Sequence, residues 1–410
     1  MATYYIDNVK GDNENSGLCE SCPKADYKAF DVKPGDTVLF KRGGFYREKL
    51  VCVDGEVGKP ITYGSYGEGE LPVFSSAVDL GNPSMWVEVR KNVWKCTEPP
   101  ATCVGNFIFN DDELSASFRW TDEELVAQGD FCEYAETDRK DGQDLFLYSE
   151  GNPGEFYTRI EAAVRDNWTG CAVKSNNIIE NLCFANSGIH GIQGVCCDNI
   201  TVRGCVIKNI GGCCWKRSLR IRFGNAIEFW QSGNNILIEN NYVKNVYDSC
   251  VTHQGPGGGT EPAKNFICRG NTFDTYGMAA FEYRDKMMIN SAFEGNTCLN
   301  AGCGFAMVGE VLPRKSEIWP QPMGHHIFLW RIPEGSEGGS LSIKNNVFGP
   351  APVGAAIYSI IAPAAEAQMD IDCNTYTKND TLLVHFGGFD YTDLEEYKKA
   401  AGKDLNSSVK

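Results

Sequence analysis

Six copies of one short phrase constrain this chain more than any other feature. They run Asn176–Phe184, Asp198–Ile207, Asn234–Val243, Lys264–Phe273, Ile289–Cys298 and Gly339–Phe348, as in NNILIENNYV and KNFICRGNTF. Each is an alternating apolar run that meets a polar turn cluster, the pattern of a half-buried strand entering a corner. Aligned on that corner, Leu182, Cys205, Asn241, Asn271, Asn296 and Asn346 are equivalent, with steps of 23, 36, 30, 25 and 50 residues. A unit of roughly 22–30 residues made of short strands and tight turns cannot bury its apolar face alone, so successive units must stack. The expected fold is an all-β solenoid, a parallel β-helix, and the longest step leaves room for a second coil or a large loop.

Around the repeats the chain reads as one domain of four parts. Residues 1–80 form an N-terminal cap and first coils, 81–160 an inserted lobe, 161–376 the regular coils and 377–410 a C-terminal cap. In the lobe, Thr121 followed by Glu124 is a capping-box pattern that starts a short helix. Asp393 opens the charged, amphipathic DLEEYKKA, read as a closing helix.

The net charge is −16, with no Lys/Arg-rich run, which argues against nucleic acid or an anionic membrane as partner. No apolar stretch approaches the ~18–20 residues that span a bilayer. The opening Met1–Asp7 has no basic-and-apolar leader, so the expectation is a cytoplasmic chain or a processed secreted form. Of 18 cysteines, Cys183, Cys205, Cys268 and Cys298 fall inside repeat phrases, where small apolar thiols fill a core. The reading is mostly reduced, buried cysteines. Cys19-x-x-Cys22 lacks a second pair at zinc spacing and reads as a local disulfide or two free thiols rather than a metal site.

After each corner a further strand follows: Ser187–Ile192, Asn225–Trp230, Ser249–Gln254, Met278–Arg284 and Cys303–Val308. Side chains alternate faces along a strand. With Ile189, Ile227, Val251, Phe281 and Phe305 inward, the outward column is His190, Glu228, Thr252, Glu282 and Ala306. Two places on, the same face carries Ile192, Trp230, Gln254, Arg284 and Val308. Stacked strands lie about 4.8 Å apart, so carboxyls two coils apart can approach to about 6–10 Å, a separation suited to an acid and a base across a glycosidic bond. Glu228, Asp248 and Glu282 are the candidate catalytic residues. His190, Trp230, His253 and Arg284 are candidates for binding a sugar. A single outward Glu is ordinarily a solvated side chain; what marks this face is the convergence of carboxylates with His, Arg and Trp. Trp120 in the lobe is a candidate stacking platform, with packing as the alternative. Trp319, His325, His326 and Trp330 form a second constellation, from which His326 is taken as a sugar contact. His385 reads as structural.

The phrases YYIDNVKGDNENSG, PGDTVLFKRGG (Pro34–Gly44), GKPITYGSYGEG (Gly58–Gly69), FRWTDEELVAQGDF (Phe118–Phe131), LFLYSEGNP, GNAIEFW and DSCVTHQG resemble the right-handed parallel β-helix proteins of the pectate-lyase-like superfamily. The likeness is greatest to bacterial β-helical carbohydrate-active enzymes. It implies the fold and a poly- or oligosaccharide substrate, but not the reaction, since the superfamily holds lyases, hydrolases and epimerases. A glycoside hydrolase would use Glu228, Asp248 and Glu282 and need no cofactor. A lyase would use Arg284 or Lys286 as base, with Ca²⁺ held by Asp248, Glu282 and Asp285; the DPHD-type motif of alginate epimerases is absent. A non-catalytic glycan binder or adhesin is the third class.

Overall fold

The polar cluster that ends each phrase is a corner of left-handed backbone. Asn181, Gly204, Asn240, Gly270, Gly295 and Asn345 stack there with φ of 54–64°, a region that Gly and Asn enter most readily. The residue after each is the aligned position, and from Asn241 onward it is a buried asparagine. Asn271 shows the pattern. Its Oδ1 accepts both the backbone N–H and the side-chain N–H of Asn241 at 3.0 Å. Its Nδ2 donates to the Ile238 carbonyl and to Asn296 Oδ1, both at 3.0 Å. Asn241, Asn296, Asn346 and Asn374 continue this ladder from coil to coil.

The computed structural model of the chain describes residues 1–410 except 112–113, 135–143, 166–168, 232, 256–261, 286, 308–321, 333–338, 353–354, 361–367 and 378–383. Three ten-stranded sheets, parallel apart from one terminal pair, wrap around the core as a right-handed parallel β-helix. One coil contributes Ile236–Glu239 to the first sheet, Tyr242–Val246 to the second and Ser249–Gln254 to the third. Interior side chains stack in files, such as Ile179, Val202, Ile238, Cys268, Phe293 and Ile343, each paired in register with the next. Cys205 and Cys298 are interior as well, and Cys19 and Cys22 form a disulfide.

A lobe of two sheets, antiparallel apart from the parallel pairing of Ser117–Phe118 with Asp130–Phe131, leaves the coil at Ala77 and returns at Val164, its ends paired through Ala77 and Ala163. The Thr121–Glu124 capping box is formed, but it closes a single 3₁₀ turn, Asp122–Glu124, rather than a longer helix. Asp393 caps the closing helix Leu394–Ala401 by accepting the Glu396 N–H at 2.9 Å. The corner between the second and third sheets also receives a hairpin, Cys213–Lys216 paired with Ile221–Phe223. Arg222 of this hairpin is buried and donates to three carbonyls: Gly212 at 2.6 Å, Ala306 at 2.8 Å and Gly105 of the lobe at 2.9 Å.

Two substitutions test these joints by chemical denaturation. Asn271→Ala strands the Asn241 N–H and the Ile238 carbonyl and is expected to cost about 2–4 kcal/mol. Arg222→Met leaves three buried carbonyls short of a donor and is expected to lower stability by a similar ~2–4 kcal/mol.

Candidate active site

Valine, phenylalanine and isoleucine files hold the inner face of the third sheet, so residues between them point away from the core. In register, Gln193, Glu228, Thr252, Glu282 and Phe328 form one outward file. Val195, Trp230 and Gln254 align in the next, with Arg284 and Trp330 paired further along it. Glu228 and Glu282 are therefore two rungs apart, about 10 Å between backbones at ~4.8 Å per rung. Asp248 enters the intermediate rung, its Oδ2 accepting the Gly224 N–H at 2.8 Å.

Two predicted members of the column are placed differently. His190 aligns with Thr169 rather than Glu228, because Ile192, not Ile189, pairs with Ile227. Ten residues separate Leu182 from Ile192, as they separate Asn241 from Val251 and Asn271 from Phe281. Ile189 instead joins the core beneath the lobe. Even so, His190 reaches forward, and its Nδ1 lies 2.7 Å from Glu228 Oε2. In the coil after Ala279–Arg284 the strand is His325–Trp330, not Cys303–Val308: a long insertion precedes it and Ala306 sits at a turn with φ 64°. Phe328 and Trp330 thus take the places assigned to Ala306 and Val308.

The two glutamates have opposite electrostatic surroundings, although both are buried. Burial is the largest influence on Glu228 and acts upward, but it is outweighed. His190, Asn225 Nδ2 at 3.1 Å and Arg284 together hold the carboxyl below its ordinary value. Burial also dominates at Glu282, and there it prevails. Arg284 and the Trp330 indole N–H, 2.9 Å from Oε1, pull the carboxyl down, Asp248 pushes it up, and the net direction is upward. Ser249, Thr252 and Gln254 surround Oε2 at 3.1–3.2 Å. Arg284 also hydrogen-bonds Gln254 and lies over the Trp330 ring at 5.1 Å.

Three predicted sugar contacts lie elsewhere. His253 belongs to an interior file with Phe229 and Tyr283 and stacks on the Tyr283 ring at 5.3 Å. Strand alternation puts it inward once Thr252 is outward. His326 is fully buried, bonded to the Gly349 carbonyl at 2.7 Å and to the Tyr276 hydroxyl. Burial lowers both His325 and His326 to about 4, so each is a neutral core residue at pH 7. Trp120 packs edge-on against Phe118 in the lobe, with the Arg217 and Arg220 guanidiniums over its ring. Trp319 and Lys286 lie outside the described residues, as does most of the loop Gly255–Ala263. His385 pairs with Asp390. Among the described residues, Asp248, Glu282 and Asp285 do not gather around a shared ion position. Asp285 instead accepts the Gly255 N–H and faces Arg284 and Arg331. Asn225 and Ser249, absent from the sequence expectation, are polar residues just ahead of apolar strand positions. That interruption was their only signal.

No family model matches the chain. A 102-residue stretch is 32% identical to a lacto-N-biosidase of Bifidobacterium longum subsp. longum, covering 22% of this chain and 6% of that protein. The crystal structure of a GH136 lacto-N-biosidase from Eubacterium ramulus superposes with a TM-score of 0.52 at 14% identity. It covers 92% of this chain and 56% of its own, so this chain spans little more than half of that structure's length. Pectate lyase Pel9A superposes with a TM-score of 0.50 at 12% identity, over 93% of this chain and 70% of its own. The architecture is a right-handed parallel β-helix, a fold these two structures, one of a glycosidase and one of a polysaccharide lyase, share with this chain.

The opposite shifts give opposite linkage signs. Glu282, raised in the folded chain, contributes stability that is present below its unfolded value and lost as pH rises through the folded one. Glu228, lowered, contributes stability that is present above its unfolded value and lost as pH falls through the folded one. Between about pH 4 and about pH 8, urea unfolding should therefore move in favour of Glu282→Gln over the wild type. For Glu228→Gln the window lies lower: the wild type's advantage over this variant, full above the unfolded value of about 4.3, should shrink as pH falls below about 4.

Proposed function

We propose that this chain is a carbohydrate-active enzyme that hydrolyses a glycosidic bond. Glu282 serves as general acid, Glu228 as the ionised partner, and Asp248 as a second carboxylate on the rung between them. One observation carries the reading: the surroundings of two carboxylates on a single outward file move their proton affinities in opposite directions, Glu282 upward and Glu228 downward. Glycoside hydrolysis needs that division, one carboxyl holding a proton for the leaving oxygen and one free to act as base or nucleophile. His190 and Asn225 keep Glu228 ionised and oriented. Trp330 and Ser249 fix the Glu282 carboxyl. Trp230, half-buried beside Gln254, offers a sugar-stacking surface. The lacto-N-biosidase likenesses make a lacto-N-bioside the first substrate to test. The lyase alternative has less support, since its Ca²⁺ carboxylates do not converge among the described residues.

Glu282→Gln and Glu228→Gln should each reduce hydrolysis by about 100- to 10,000-fold, the range for general acid–base groups. A substrate whose leaving group needs no protonation should recover much of the activity of Glu282→Gln and none of that of Glu228→Gln. Products should carry new reducing ends and no ultraviolet-absorbing double bond. The first-formed anomer separates two uses of the ionised groups: net inversion if Glu228 activates water across two rungs, net retention if Asp248 attacks directly. Full activity in both glutamine variants, or an unsaturated product, overturns the reading.

A further inference from the structure

At the seam between the lobe and the coils, three ligand-type side chains from distant parts of the chain converge. Cys103 directly precedes the strand Val104–Phe109, Glu133 ends the strand Asp130–Glu133, and Cys214 lies in the hairpin strand Cys213–Lys216. The two Sγ atoms and a Glu133 carboxylate oxygen all lie within 4.8 Å of one another, and all three residues are buried. Cys103 Sγ is 3.4 Å from Glu133 Oε1 and accepts the Cys214 backbone N–H at 3.0 Å. The neighbouring Cys213 thiol donates to the Cys103 carbonyl at 3.2 Å, which fixes that loop. Arg217 binds the Glu133 carbonyl at 2.6 Å and stands 3.8 Å from its Oε1.

A fully buried carboxylate is costly wherever apolar residues surround it, and this one lies beside the lobe core. Two sulfurs and one carboxylate supply three of the four donors that a tetrahedral zinc-type ion takes. Zn–S bonds of about 2.3 Å place two sulfurs roughly 3.8 Å apart, a separation compatible with the 4.8 Å within which these ligand atoms lie. An N–H aimed at a sulfur and a guanidinium beside the carboxylate are the supports that orient metal ligands.

We infer that Cys103, Cys214 and Glu133 hold one zinc-type divalent ion, a structural clasp that fastens the lobe to the β-helix. Uptake displaces the two thiol protons, forms two metal–sulfur bonds and one metal–oxygen bond, and leaves the fourth position to water or the second Glu133 oxygen. The resulting site carries one net negative charge, which Arg217 balances. No short motif announces it, because the ligands are 30 and 81 residues apart in sequence.

The test uses the full chain purified under reductant, stripped of metal at low pH and titrated with Co²⁺. Expected are one equivalent bound, tetrahedral absorption in the red and thiolate-to-cobalt charge transfer in the near ultraviolet. These signals need no variant and so do not depend on a mutant folding. Cys103→Ser with Cys214→Ser should remove them, while Cys19→Ser with Cys22→Ser, and separately Cys250→Ala, should leave them intact. Absence of the bands in the wild type overturns the inference. So does their survival in the Cys103/Cys214 variant, or a Cys103–Cys214 disulfide mapped by mass spectrometry in protein isolated without reductant.

Discussion

The buried asparagine ladder sets the register on which everything else in this molecule depends. At each corner the backbone turns through a left-handed residue, and its peptide groups face the interior, where an unpaired group is expensive. The asparagine amide meets that demand in both directions, accepting an N–H from the coil before and donating to a carbonyl there and to the asparagine after. Asn241, Asn271, Asn296, Asn346 and Asn374 thereby lock each coil to the next at one residue. A slip by one would strand these bonds and turn every strand's side chains to the wrong face.

With the corner fixed, the third sheet inherits its register by arc length. The ten residues from Asn241 to Val251 and from Asn271 to Phe281 deliver Thr252 and Glu282 to one outward file. An outward position on this sheet is not exposed, however, since Glu228 and Glu282 are 4% and 1% accessible. Burial makes their neighbours decisive. Glu228 has the His190 ring and the Asn225 amide at its carboxylate; Glu282 has one indole N–H, two hydroxyls and an amide. The contrast in proton affinity thus arises from different partners, His190 and Asn225 at Glu228 against burial and Asp248 at Glu282, which sit on neighbouring rungs or at strand ends and which a reading of one strand's faces passes over.

That difference also measures how much was legible in the sequence. The repeat phrase, its corner register and the stacking of Glu228, Thr252 and Glu282 could be read because all three follow from periodicity. His190 could not be placed correctly, since Ile189 and Ile192 are equally good inward residues and only the ten-residue arc distinguishes them. The strand after Ala279–Arg284 is not legible because Cys303–Val308 continues the expected spacing while an insertion moves the true strand to His325–Trp330. His253 and His326 looked functional by residue type, yet the pleat turns His253 inward and Gly349 and Tyr276 satisfy His326. Polar type alone does not distinguish a ligand contact from a core residue with its hydrogen bonds met.

Three of the insertions share one location, and this links the fold to its chemistry. The lobe leaves after the second-sheet strand Val73–Ser75 and returns before the third-sheet strand Thr169–Val173. The hairpin lies between Val206–Ile210 and Ile227–Trp230, and the third insertion between Thr297–Ala301 and His325–Trp330. Each therefore enters at the corner that feeds the site strands, beside Asn225, Asp248 and Ser249. Loops at such a corner can lengthen without disturbing the ladder, which lies at the opposite end of the second-sheet strands. Arg222 then makes separate insertions act as one wall, its guanidinium reaching carbonyls of the lobe, the hairpin and the residue Ala306. Phe118 and Tyr247 cover its faces at 4.1 and 4.8 Å, so the charge is held by aromatic rings and carbonyl dipoles. Rigidity in the rungs and variation at one corner are separate properties of the chain, and the carboxylates sit where the two meet.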